Sequence, residues 1–221
     1  RELKRQDSKR LTGKDASKEI IVSFDRTVTS NENDRGALAV HAALMAAYSV
    51  ERTDLDVRGG IEWRRTVHEQ APGEDRPSAR EERAPFLLVY ISAKRLLELV
   101  EGGLLERLVL DIRKNRPKPV KITLLTVGLE AYVKRHKKPD PARALDACQA
   151  QLLRLVVFYG IETRDEKSDA EAATVACRMT RAIAEAPFRQ EDSVVDRHKQ
   201  GHKKESAQAD HPFARFLTQI P

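Results

Sequence analysis

A chain of 221 residues is long enough for one good-sized core, or for one domain with flexible ends. Its make-up is 40% hydrophobic and 33% charged, and no apolar run approaches the roughly 20 residues that cross a bilayer, which excludes a membrane-spanning helix. The 40 Lys and Arg against 34 Asp and Glu leave +6, a balance that fits a polyanionic partner, and two cysteines, Cys148 and Cys177, are too few for a cysteine-built zinc site.

Residues 1–18 carry Lys4, Arg5, Lys9, Arg10, Lys14 and Lys18 and read as a basic helix or arm. Residues 19–25 (EIIVSFD) form a short apolar run expected to be a buried strand, followed by a polar loop over 26–34. The Ala- and Leu-rich stretch 36–49 suits a buried helix. Residues 50–57 read as a second strand. Gly59-Gly60 is a turn signal, and 61–67 (IEWRRTV) is a strand by its Trp, Thr and Val. Residues 68–84 are charged, contain Pro77, and are expected to be a disordered loop. The run 85–92 (PFLLVYIS) is apolar enough to be buried on both faces, as in a parallel sheet covered by helices.

Ser92 is placed to cap a helix over 94–100, Gly102-Gly103 ends it, and a second helix over about 104–114 stops before Pro117 and Pro119. A strand at 120–127 (VKITLLTV) precedes a helix over 128–138 that closes on a basic cluster, Arg135 to Lys138. Asp140-Pro141 has the form of an N-cap and first helical residue for a helix to about Leu152, after which 153–159 (LRLVVFY) reads as another strand. Ser168 and Glu171 make a capping box for a helix that Pro187 is expected to close. Residues 189–210 read as a flexible linker, and 211–221 as the start of a further element in what reads as an excised fragment. Strands alternating with helices predict an α/β domain with a central, mostly parallel sheet flanked by helices.

The search for chemistry removes several classes. No Gly-rich phosphate loop, no nucleophile elbow and no paired-histidine zinc motif occurs. A metal-dependent nuclease needs carboxylates converging on one point to hold magnesium beside a phosphate. The candidates at strand ends are Asp25, Asp54, Asp56, Glu62 and Glu69. An active nuclease built on Asp25, Asp54 and Asp56 is one reading. Solvated turn acids and surface ion pairs are the plainer one.

Two blocks, IEWRRTVHE at 61–69 and RAIAEAPF at 181–188, stand in order with SFD, LLVYIS and ITLLTVG. Over roughly 19–188 this pattern resembles the nuclease-like domain of the non-catalytic EME subunit in the XPF-type endonuclease family. Active members of that family carry G-D-x-n-E-R-K-x-x-x-D, whose acids bind the metal. In this chain Trp63 stands where the Glu belongs, with Arg64 at the Arg position, Arg65 at the Lys position and Glu69 where the last Asp would be. A second register puts Glu62 at the Glu position and breaks the E-R-K. An indole cannot bind magnesium and guanidiniums repel it, so the resemblance implies a degenerate site with no catalytic residue and no metal.

The resemblance further implies a restriction-endonuclease-like fold and a heterodimer with a catalytic MUS-type subunit that holds the magnesium. It implies branched DNA as substrate (3′ flaps, nicked Holliday junctions), work in recombination and repair, and a nuclear location. It marks 19–188 as the nuclease-like domain and 211–221 as the start of a truncated helix-hairpin-helix region. Arg64, Arg65, Lys94, Arg95, Arg178 and Arg181 are the DNA-binding candidates, since guanidinium forks and ammonium groups suit phosphate. Residues 141–159 and 169–185 are the expected partner surface. A basic protein-interaction scaffold is the blander reading.

Overall fold

The computed structural model describes residues 18–29, 35–69, 78–116, 119–136 and 140–204. The basic arm (Lys18 aside) and the stretch 211–221 lie outside the described residues. In chain order the elements are β1 (Ile20–Asp25), α1 (Arg26–Thr29), α2 (Arg35–Ala47), β2 (Ser49–Thr53), β3 (Gly60–Glu69), β4 (Ser78–Tyr90), α3 (Ala93–Glu101), α4 (Leu105–Lys114), β5 (Lys121–Val127), α5 (Leu129–His136), α6 (Pro141–Tyr159), β6 (Glu162–Glu166) and α7 (Asp169–Lys204).

The strands form one six-stranded sheet in the order β2-β1-β3-β4-β5-β6. β1 runs parallel to β2, β4 to β5 and β5 to β6, while β3 is antiparallel to both β1 and β4. Among the described residues five strands therefore point one way and β3 points back. This is the mostly parallel α/β sheet that the alternation of elements predicts.

Side chains alternate across the strands, so each buried strand feeds two layers. Leu87, Val89, Ile122 and Leu124 pack with Leu96, Leu105, Val109, Leu129, Val133, Cys148 and Leu155 from α3 to α6. On the opposite face lie the buried Val22, Phe24, Ile61 and Trp63: the Phe24 ring stands edge-on to His41 of α2 at 5.1 Å, and the Trp63 indole bonds to Thr180 of α7. The caps are those their residues dictate. Ser92 accepts from the Arg95 amide, Asp140 from the Arg143 amide at 3.0 Å, and Gly160 closes α6 in the left-handed conformation at φ 59°. Ser168 accepts from the Glu171 amide while Glu171 accepts from the Lys167 amide.

The structure corrects several expectations. The run 153–159 is helix, the last two turns of α6; Leu155 is buried while Leu153, Val157 and Phe158 are exposed, which is a helical distribution. The sixth strand is instead β6, a polar edge strand (ETRDE) that carries no hydrophobic signal. The charged stretch expected as a loop over 68–84 contributes the end of β3 and the first half of β4. These polar halves pair with each other, Arg65 standing opposite Glu82 and Arg64, which stands opposite Arg83, reaching Glu81 on the diagonal. Pro85 lies within β4, and the register slips opposite Trp63, as fits a residue with no N–H to donate. Finally α7 runs through Pro187, since a proline removes one rung of the ladder without obliging the chain to stop coiling. The chain divides into compact units at Ala184/Glu185.

Candidate functional site

Every candidate in the WRR block sits on β3, the reversed strand in the middle of the sheet. Trp63 faces the α2/α7 layer and is fully buried; its indole N–H donates to the Thr180 hydroxyl of α7 at 2.9 Å. It is a core residue with its single polar atom satisfied. Glu62, one residue earlier, points to the other face, as strand alternation requires. It is only 3% exposed. Two guanidiniums hold it: Arg83 from β4 on one carboxylate oxygen and Arg116, beyond α4, on the other. Arg116 also reaches Asp56 in the β2–β3 connection at 2.7 Å.

Arg64 and Arg65 lie at the half-exposed end of β3. Arg64 pairs with Glu51 of β2 and with Glu81 of β4, the latter at 2.8 Å; Arg65 pairs with Glu82 at 3.0 Å. Both guanidiniums are thus engaged by carboxylates on other strands, Glu81 and Glu82 on the adjacent β4 and Glu51 on β2, one strand beyond β1. Glu69 ends β3, and its side chain lies outside what the structure describes.

The acids of the active-nuclease reading do not come together. Asp25 is fully buried, where a solvated turn acid had been the plainer expectation; it accepts from the Gly59 amide at 2.8 Å and from the Thr27 amide and hydroxyl. It ties the end of β1 to the turn before β3. Asp54 is exposed and faces Arg26 at 3.6 Å, while Asp56 faces Arg116. Among the described residues no group of three or more His, Cys, Asp or Glu is placed to hold a metal ion. Asp25 and Asp56 are held by these partners and Asp54 stands in an exposed pair, so the described residues do not bring Asp25, Asp54 and Asp56 together as one metal-binding set.

The other basic candidates fall on two elements. Lys94 and Arg95 open α3, beside a cleft of about 220 Å³ that also takes in Arg58, Gly59, Ser92 and Glu98. Arg95 lies 3.8 Å from Glu98, an exposed pair worth little in water. Arg58 escaped the sequence reading because it stands alone in a loop; only the approach of Gly59 to Tyr90 brings it to the start of α3. Arg178 and Arg181 lie on the exposed side of α7, away from Ile183. Arg116 and Arg83 were missed as well. Each binds its acids across the fold, and no spacing in the chain signals it.

The two cysteines are separate thiols; burial pushes both up from their ordinary range, and for Cys148 the charge of Glu101 adds to it. Among the described residues no helix is long and apolar enough to cross a membrane.

No family model matches the chain. It is similar to crossover junction endonuclease EME1 of Oryza sativa subsp. japonica, with 23% identity over 209 residues, 90% of this chain and 31% of that protein. The chain thus spans about a third of the length of that relative. Solved structures it resembles include XPF from Aeropyrum pernix, at 12% identity and a TM-score of 0.47 over 80% of this chain and 69% of that one. Another is the same protein in complex with DNA, at 11% identity and a TM-score of 0.49 over 76% and 66%. The similarity to EME1 takes in 90% of this chain, including the two blocks at 61–69 and 181–188.

Proposed function

We propose that this chain is the non-catalytic, DNA-binding part of a heterodimeric structure-specific endonuclease. Its partner is a MUS-type subunit that supplies the magnesium site, and the complex cuts branched DNA such as 3′ flaps and nicked Holliday junctions during nuclear recombination and repair. The similarity to EME1 supports the class. What carries the non-catalytic role is the occupancy of the acid position. In one register it holds a buried indole bonded to Thr180; in the other it holds a carboxylate gripped by Arg83 and Arg116. Neither presents a free carboxylate to a metal ion.

Lys94, Arg95 and Arg58 around the α3 cleft are the best-placed phosphate contacts, with Arg178 and Arg181 on α7 as a second group. Arg64 and Arg65 would reach DNA only by giving up part of their carboxylate pairing. The partner surface is the outer side of the last turns of α6, where Leu153, Val157 and Phe158 are 62%, 65% and 70% exposed. Large apolar side chains grouped like this mark an interaction face.

The test is reconstitution. The full chain and the catalytic subunit are mixed and run through a sizing column, with Val157→Asp and Phe158→Asp beside the wild type. A complex that both substitutions weaken supports the reading. No complex with any MUS-type subunit, together with no salt-dependent binding to branched DNA, favours a protein-interaction scaffold instead.

A further inference from the structure

Asp56 and Glu62 flank the turn that leads into β3, and both carboxylates end on one guanidinium. Arg116 places one terminal nitrogen 2.7 Å from an Asp56 oxygen and the other against Glu62. Its side chain is 3% exposed, and the Glu62 side chain 4%. The Asp56 side chain is 40% exposed, so a buried acid and a half-exposed one share this guanidinium, and two acids drawn this close repel unless a cation stands between them. In a metal-dependent nuclease that cation is divalent. Here it is carried on the chain.

The charges balance without any ion. Asp56 and Glu62 contribute two negative charges, Arg116 and Arg83 two positive ones. The contact between Arg116 and Glu62 is an ion pair out of line for a directed hydrogen bond, and the inner Nε of Arg116 has no hydrogen-bond partner among the described residues. A buried donor left without an acceptor is costly, so hydrogen bonding alone does not account for where this guanidinium lies; the two carboxylates do. A guanidinium is also a cation that can neither dissociate nor lose its charge. Beside it, a cleft of about 350 Å³ lined by Arg83, Pro85, Arg116 and Val120 gives access from solvent.

We propose that the Arg116 guanidinium is a built-in substitute for a divalent metal ion between Asp56 and Glu62, so that this pocket neither needs nor admits one. The inference rests on the non-catalytic reading for its expectation of a metal pocket, and it assigns the vacated role to one residue that the family motif does not include.

The test reads metal binding and not cleavage. The full chain is titrated with Mn²⁺, and free Mn²⁺ is followed by electron paramagnetic resonance. Wild type and Glu62→Gln should show the same weak background. Arg116→Ala, its fold checked by circular dichroism, should gain about one Mn²⁺ per chain at concentrations on the order of millimolar, in the range of weak oxygen-ligand sites. The gain should vanish in Glu62→Gln/Arg116→Ala and be displaced by added guanidinium ion well below denaturing concentration. A folded Arg116→Ala that gains no Mn²⁺ overturns the proposal. So does a wild-type site that Glu62→Gln removes, and that arm stands even if Arg116→Ala does not fold. If the wild type binds Mn²⁺ through Glu62 yet cuts nothing alone, the substitution fails while the non-catalytic reading stands. If it cuts alone, both fail.

Discussion

Trp63 on β3 donates its indole N–H to the hydroxyl of Thr180 on α7 across 2.9 Å, and that hydroxyl in turn donates to the Ala176 carbonyl at 2.9 Å. The bond joins the central reversed strand to the last helix of the domain through two fully buried residues. Thr180→Val keeps the shape but removes the acceptor. The stranded indole N–H should cost about 1–3 kcal/mol in urea unfolding. Thr180→Ser should cost less than about 1 kcal/mol, as it retains the hydroxyl. Trp63 is the only tryptophan, so its fluorescence reports the transition directly.

Gly59 shapes the turn that sets Arg58 beside α3 and Asp25 under β3. Its φ is +80°, and a Cβ there would fall 2.2 Å from the Tyr90 carbonyl oxygen. Gly59→Ala should therefore cost about 1–2 kcal/mol from backbone conformation alone, and more from the clash. Gly103 has φ +63° but open space around it, so Gly103→Ala should carry only the conformational cost. Equal melting temperatures for the two variants would contradict this account of the turn.

His41 gives the domain a pH dependence. Burial holds its imidazole below its ordinary value of 6.5, and the charge of Arg52 adds to the shift. Arg52 donates to the imidazole Nε2 at 3.2 Å, so that nitrogen must be unprotonated in the folded state. The unfolded chain then takes up the proton first. Stability from this site is complete above about pH 6.5 and is lost as the pH falls from there toward the lowered folded value. In His41→Leu the slope of unfolding free energy between about pH 6.5 and 5 should flatten. An unchanged slope would assign the acid sensitivity elsewhere.

The α3 cleft predicts how DNA affinity responds to salt. Removing one phosphate-binding side chain should lower the slope of log affinity against log salt by about one. Lys94→Ala, Arg95→Ala and Arg58→Ala should each do so, while Lys134→Ala, whose ammonium is paired with Glu130, should not. Slopes that stay at the wild-type value in all three would remove the cleft from the DNA surface.

Where apolar character and burial coincide, the elements were legible from the residues. β1, β5 and the inner half of β4 are short apolar runs, and they are the covered centre of the sheet. The failures share a physical cause. LRLVVFY has the composition of a strand, but its apolar excess serves an exposed helix face, and a short run cannot tell the two apart. β6 and the outer half of β4 are held by backbone pairing and matched charges, which leave no hydrophobic pattern. At the site, Trp63 and Glu62 stood out by spacing in the motif. Arg116 lies 54 residues beyond Glu62 and meets it only in the folded chain.

The central claim is that this domain has no active site of its own, and cleavage tests it most directly. A labelled 3′-flap duplex is incubated with Mg²⁺ and the full chain alone, then with its catalytic partner added. The account predicts no cut strand with the chain alone and cleavage once the partner is present, with Glu62→Gln in this chain leaving the partner's chemistry in place. Cleavage by the chain alone, abolished by Asp25→Ala or Glu62→Gln in protein that remains folded, would contradict it.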